Sequence, residues 1–233
     1  MKKESGSYTY PYERPAVTTD CVIFGYDGKD LKILLVERGI PPFKGMWALP
    51  GGYLQMDEDS IDGAKRELFE ETGLEDAYIE QFKTFAAVDR DPRGRVITIA
   101  HLALVKISSD VQGGDDAAKA QWFSLNDVPQ LAFDHDMILR EAMKYLRQKI
   151  HFEPVGFELL PEVFTMPQLQ NLYESILDVH FDRRNFAAKM LHLGILEAIG
   201  DRPAGASNRI PVTYRFDKEK YDLFKSKGFR LEF

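Results

Sequence analysis

Between Gly52 and Leu74 the chain reads GYLQMDEDSIDGAKRELFEETGL, and no other stretch restricts it as much. The spacing predicts a helix in the middle, with Asp59 or Ser60 capping its start and Gly73 at the left-handed position past its end. Ile61, Ala64, Leu68 and Thr72 recur at the i, i+3, i+4 spacing of a stripe turned toward a core. Glu67, Glu70 and Glu71 fall on a second face, since each residue turns about 100° around the axis. Three carboxylates on one patch repel one another. Arg66, four residues before Glu70, is spaced to pair with only one of them. One reading is a solvated acidic face. The other is a site for a hard divalent cation, Mg²⁺ or Mn²⁺, because an all-oxygen ligand set does not suit zinc.

The flanking chain narrows the classes open to it. The 233 residues suit one large domain or two small ones, and 44% hydrophobic content fills real cores. A net charge of −7 gives no global attraction to nucleic acid or to an anionic membrane. The single cysteine, Cys21, excludes an internal disulfide and fits a reducing cytoplasm. The start, MKKESGSYTYPYERP, has two lysines with no apolar segment behind them, so no signal peptide is expected. No apolar run approaches the roughly 20 residues of a membrane span.

In order, residues 1–15 read as an extended arm. Thr18–Tyr26 and Leu31–Glu37 read as strands joined at Asp27-Gly28, a hairpin signal. Ile40–Leu49 reads as a Pro- and Gly-rich loop before the acidic helix. Tyr78–Val88 and Val96–Ile107 read as two more strands around a connector with Arg90, Arg93 and Arg95. Ser108–Lys119 reads as a polar loop, Trp122-Phe123 as a short apolar piece, and Asp134–Ile150 as an amphipathic helix. His151–Val163, with Pro154, Gly156 and Pro161, reads as a linker or entry segment. Thr165 caps a helix through Leu177 with Pro167 in its first turn. Asp182 caps a second helix, Arg183–Leu193, ended by Gly194. Ile195–Ile199 and Val212–Phe216 then read as a hairpin around a Gly/Pro/Arg loop. Helix, turn, helix and hairpin outline a winged helix-turn-helix. Eleven basic against five acidic residues between Arg183 and Arg230 leave that segment six charges positive within an acidic chain. Such a patch suits a phosphate backbone. Arg183, Arg184, Asn185 and Lys189 on the second helix, with Arg202 and Arg209 in the wing loop, are the candidate contacts to double-stranded DNA. The alternative is a dimerisation module with solvated charges.

Read from Gly52, the acidic stretch is G-x5-E-x7-R-E-L-x-E-E-x-G-L, matched at all nine fixed positions. It resembles the Nudix box of hydrolases that act on a nucleoside diphosphate linked to another moiety. The resemblance covers roughly residues 16–150 and implies an α/β/α sandwich, followed by the winged helix at 151–233. It implies divalent-metal ligation by Glu70 and Glu71, with Glu67 close behind and Glu58 weaker. It makes Glu67 and Glu70 catalytic, with Arg66 orienting Glu70. It sets the Gly51-Gly52 backbone near phosphates, or in an ordinary tight turn. The general base is one of Glu67, Asp115 or Asp116, because Lys119 stands where related chains carry a glutamate. The RDPRGR segment resembles that of ADP-ribose-handling members, and Arg38 and Arg90 are the leading substrate contacts. Phe43, Trp47 and Phe85 stack on a base or pack in the core; His101 reads as a core histidine; His135 is structural or a ligand contact. A Nudix domain before a winged helix is similar to the Nudix-related bacterial transcription regulators of NAD metabolism or of arabinose type. That likeness implies ADP-ribose or a sugar as ligand, DNA as partner and a homodimer.

Overall fold

Alternation along one long strand sets the architecture. The computed structural model describes residues 10–74, 77–107, 117–199 and 212–228. Strand β1 (Ala16–Tyr26) is nearly all buried, and its side chains point alternately to two cores. Cys21 and Ile23 face one, Val22, Phe24 and Tyr26 the other. It forms a hairpin with β2 (Leu31–Arg38). Short strands follow, β3 (Trp47–Ala48) on the edge of β2 and β4 (Gly51–Tyr53) along the first half of β1. Helix α1 (Ser60–Thr72) comes next, then β5 (Tyr78–Phe85), β6 (Val96–Lys106) and β7 (Ala117–Ser124). β6 runs parallel to β1 along its whole length, from Ala16 opposite Val96 to Tyr26 opposite Lys106. Among the described residues the sheet has seven strands with the main order β3-β2-β1-β6-β5; β4 pairs with β1 and β7 with β2. α1 covers one face through Ala64 and Leu68. Helix α2 (His135–Ile150) covers the other through Ile138, Ala142 and Leu146. This is the expected α/β/α sandwich.

The C-terminal part is the expected winged helix. β8 (Phe164–Thr165) leads into α3 (Met166–Leu177), where Thr165 and Gln168 form a reciprocal capping box. Asp178, in the left-handed conformation, ends α3. Asp182 accepts from the Arg184 and Asn185 amides to start α4 (Arg183–His192), whose Phe186 and Met190 are buried. β9 (Leu196–Ile199) and β10 (Thr213–Phe216) pair antiparallel, and β8 adds to β10. A final helix, α5 (Lys218–Ser226), buries Tyr221. It has no counterpart in the sequence reading, where its lysines registered only as charge.

Four expectations change. His151–Val163 is not a linker: a 3₁₀ turn at Val155–Leu159 buries Val155, Phe157 and Leu159. Phe157 stacks on Phe216 with ring centroids 4.3 Å apart, so the turn joins the domains rather than spacing them. Its prolines and glycine suggested a loop; its apolar residues decide its place. The strand carrying Trp122 begins at Ala117, inside the expected polar loop. β5 stops at Phe85, and Val88 beyond it is 73% exposed. In α1, Ile61 is exposed whereas Glu67 is buried, so the inward face is rotated from the apolar stripe.

The domains are also tied by hydrogen bonds from the Leu31 amide to Ser175 Oγ and from Arg147 Nε to the Ile176 carbonyl. A single apolar cluster runs from Val22 and Leu102 to Tyr173 and Tyr221. Truncating Phe157 to alanine should therefore destabilise the whole chain by about 3–5 kcal/mol. In urea titrations, the fluorescence of Trp47 and Trp122 and the far-UV ellipticity should shift together; separate transitions would contradict a shared core.

Candidate active site and nucleic-acid interface

The acidic box builds one wall of a cleft of about 290 Å³. Asp59 caps α1 by accepting from the Ile61 and Asp62 amides, and Gly73 ends it at φ 74°. The helix thereby presents Glu67, Glu70 and Glu71 to the cleft, with Gly51 and Gly52 of β4 and Asp20 of β1 beside them. Gly51 is sterically required, since a β-carbon there would overlap the Thr19 carbonyl, and a β-carbon at Gly52 would push the Glu67 carboxylate aside.

Arg66 holds more of the box than its spacing suggested. Its Nε and Nη2 donate to Glu58 at 2.9 and 2.6 Å. Nη1 donates to Glu67 at 2.7 Å and to Glu70 at 3.0 Å, and Nη2 reaches the Tyr53 carbonyl. One guanidinium thus serves three carboxylates. Glu58, which also accepts from the Gln55 amide, does not line the cleft. The Arg66 pairing holds its carboxyl below the usual range. Burial raises Glu67 despite Arg66. Glu71 lies outside this grip and accepts the Gly51 amide at 2.9 Å. Burial, aided by the negative charges of Glu67 and Asp20, pushes it up to about 8.

Among the described residues no three acidic, histidine or cysteine side chains already converge on one point. Glu67 and Glu70 turn toward Arg66 while Glu71 leans on Gly51. The donor set nevertheless fits a hard divalent cation, because three carboxylates and Asp20 line one cleft and supply only oxygen ligands.

The opposite wall carries the arginines. Arg90 lines the cleft but its side chain is only 3% exposed; it forks onto Asp134 at 2.7 and 3.0 Å and reaches Asp20 at 3.3 Å. It therefore braces β1 against the start of α2. Arg38 and Arg93 stand at the rim, with Arg38 Nε donating to the Pro42 carbonyl and Arg93 to Asp91. Arg95 instead caps the Ala86 and Ala87 carbonyls. Phe85 is core, Trp47 packs edge-on to Phe123, and Phe43 packs edge-on to Phe133. His135 lines the cleft, and its Nδ1 accepts the Leu49 amide. His101 is fully buried, its Nδ1 2.9 Å from Thr19 Oγ1.

Sequence reasoning missed Asp20, Tyr53 and Phe133 as cleft residues. Asp20 left a signal, an acid inside the apolar run of β1. Asp115, Asp116, Arg202 and Arg209 lie outside the described residues. Arg183, Arg184, Asn185 and Lys189 are all exposed on α4, whose Phe186 and Met190 are buried. The cleft and this basic face thus belong to two distinct modules of one chain.

Comparison with known proteins agrees with both modules. The NUDIX domain family matches residues 14–146, and the NrtR DNA-binding winged helix domain matches residues 156–216. The chain belongs to the Nudix family, in the form that carries an NrtR-type winged helix. It is 34% identical over 216 residues to the ADPR responsive transcriptional repressor NtrR of Acinetobacter baylyi, covering 91% of this chain and 86% of that one. It is 42% identical over 134 residues to the ADP-ribose pyrophosphatase of Methanocaldococcus jannaschii, covering 58% of this chain and 76% of the relative. The structure of Shewanella oneidensis NrtR complexed with a 27mer DNA superposes with a TM-score of 0.74 at 29% identity, over 92% of this chain and 97% of that one. The NUDIX domain of the same protein complexed with ADP ribose gives 0.56 at 34% identity, over 59% and 94%. No helix among the described residues is long and apolar enough to cross a membrane.

Burial holds both His101 and His135 below the usual histidine range, so they stay neutral in the fold. Below about pH 6.5 the unfolded chain binds protons that the folded chain does not, and stability falls with pH. Glu71, raised to about 8, acts in the opposite sense over the same range. A difference experiment isolates the histidine. Between pH 7.5 and 5.5, wild type should lose roughly 1 kcal/mol more in urea unfolding than His101→Gln. Parallel profiles would mean that His101 titrates normally.

Proposed function

We propose that the protein is an ADP-ribose-responsive transcription regulator whose Nudix domain also hydrolyses its ligand to AMP and ribose 5-phosphate. The observation that carries this is the pairing of a cleft with a complete acidic box and a winged helix with a basic outward face, in a chain similar along most of its length to a repressor of that kind.

In this reading Glu67, Glu70 and Glu71 hold Mg²⁺. The ion, when bound, neutralises charge developing on the pyrophosphate and lowers the pKa of the attacking water. Arg66 positions Glu67 and Glu70 and keeps Glu58 from drifting into the cleft. The Gly51-Gly52 backbone lets phosphates approach closely. Arg38 receives phosphate oxygens through a bidentate fork, while Arg90 fixes the cleft from behind. Glu67, half-neutralised by Arg66, is the described candidate for general base; Asp115 and Asp116 are the others. On the DNA side, Arg183, Arg184, Asn185 and Lys189, joined by Arg202 and Arg209, contact phosphates and base edges. A homodimer suits this role, because winged-helix readers pair on two-fold sites.

The three-way grip of Arg66 favours a second reading, in which the domain senses ADP-ribose without turning it over. One pair of variants separates them. Wild type with Mg²⁺ should release AMP from ADP-ribose, and Glu70→Gln should slow release by at least about 100-fold. Binding without release in both proteins would leave only the sensor. In gel shifts on its own promoter region, affinity should fall steeply with salt and drop on addition of ADP-ribose. Replacing Arg183 and Arg184 together by alanine should flatten the slope of log K against log salt by about 2. Absence of any shift at low salt would instead support a plain hydrolase with a dimerising C-terminal domain.

A further inference from the structure

The rim of the cleft holds an aromatic residue in a backbone conformation that stability alone disfavours. Phe133 has φ 54°, in the left-handed region that side-chain-bearing residues seldom occupy. Its neighbours leave it no escape. Ala132 is buried and its amide donates to the Trp47 carbonyl, which ties the loop to β3. On the other side Asp134 is forked by Arg90, and His135 is buried against the Leu49 amide. Strain so fully determined by its surroundings is characteristic of functional positions.

What the strain achieves is visible in the ring's contacts. The Arg38 guanidinium carbon lies 4.8 Å from the centroid of the Phe133 ring, and that of Arg93 lies 5.4 Å from it. Arg93 also sits 5.2 Å from the Tyr53 ring. Phe43, itself at φ 63°, packs edge-on to Phe133 at 4.8 Å. The rim is thus an alternation of cation and aromatic: Arg38, Phe133, Arg93, Tyr53. All four line the same cleft as the acidic box. The two arginines come from chain segments 55 positions apart, and among the described residues Phe133 is the one side chain that both of them touch through an aromatic face.

We propose that Phe133 is a positioning residue that sets Arg38 and Arg93 as a fixed pair for the two phosphates of the ligand. An isolated surface arginine loses rotamer freedom when it grips a phosphate. A guanidinium already resting on an aromatic face has given up part of that freedom beforehand, and the quadrupole of the ring stabilises its charge. Two such groups held by one ring favour a diphosphate over a monophosphate, because only the diphosphate engages both. The inference rests on reading this cleft as an ADP-ribose site, so pyrophosphate, which is independent of that reading, is used as a second probe.

The test is calorimetric binding in metal-free buffer, where the ligand is not turned over, with ADP-ribose, inorganic pyrophosphate and AMP. Phe133→Asn keeps a residue that tolerates the left-handed backbone and removes the ring. It should weaken ADP-ribose and pyrophosphate by about tenfold and AMP by less than about twofold. Phe133→Trp should restore binding. In a background with Arg38→Ala and Arg93→Ala, Phe133→Asn should add less than about twofold, since the ring then has no guanidinium to hold. Wild-type affinity in Phe133→Asn, an equal loss for AMP, or an undiminished effect in the arginine-free background would each overturn the proposal. A wild type that binds pyrophosphate in a Phe133-dependent way but ignores ADP-ribose would overturn the ligand assignment and leave the positioning role standing.

Discussion

Arg66 carries one positive charge and answers to Glu58, Glu67 and Glu70, with the Tyr53 carbonyl as a fourth acceptor. The shape of the cleft depends on this arrangement. Like charges on adjacent helix positions push a helix end apart or force protonation; a shared guanidinium lets them remain close and, for Glu67, buried. The same contact ties α1 to β4, so the acidic wall and the glycine floor hold a fixed separation. Glu71 stands outside the grip with a raised proton affinity. The box is therefore a set of carboxylates held rigid, with Glu67, Glu70 and Glu71 lining the cleft.

The opposite wall repeats the device, again with one arginine shared between carboxylates. Arg90 sits between Asp20 and Asp134, deep enough that the triad joins β1 to the first residues of α2. From there α2 runs to the domain junction. Near its far end Arg147 donates to the Ile176 carbonyl of α3, and Lys149 pairs with Glu80 and Glu153, the latter also meeting Lys225 of α5. One helix thus has its first turn at the ligand cleft and its last turn among residues of the winged helix. Its two ends are held by charge and its middle by the apolar packing of Ile138, Ala142 and Leu146.

Much of this was legible in the sequence wherever the chemistry is local. The box and its caps follow from spacings of a few residues, as do Thr165 with Pro167 and Asp182 as helix starts, and the fold class follows from the resemblance that the box carries. Arg90 was legible as a cleft residue but not as a brace, because its partners lie 44 and 70 positions away and nothing in the connector announces them. Phe133 was overlooked for a related reason: its backbone conformation is imposed by neighbours anchored to β3, Leu49 and Arg90. The segment at 151–163 was misread because proline and glycine were given more weight than Val155, Phe157 and Leu159. α5 went unseen because a helix of nine residues burying one tyrosine has too little periodicity to register.

That misread segment has a consequence for how such a protein is assembled and altered. Phe157 lies face to face with Phe216, against Phe164, and shares a core with Ile150 and Tyr173. A modular exchange at the chain's apparent seam, grafting a foreign DNA reader after α2, would cut through packed aromatic rings instead of through solvent-exposed tether. Any successful chimera has to transplant the turn together with the reader and then rebuild the surface of β6 on which that turn rests. Swapping specificities between such regulators is thus a problem of interface matching, and the natural unit of inheritance is the pair of domains.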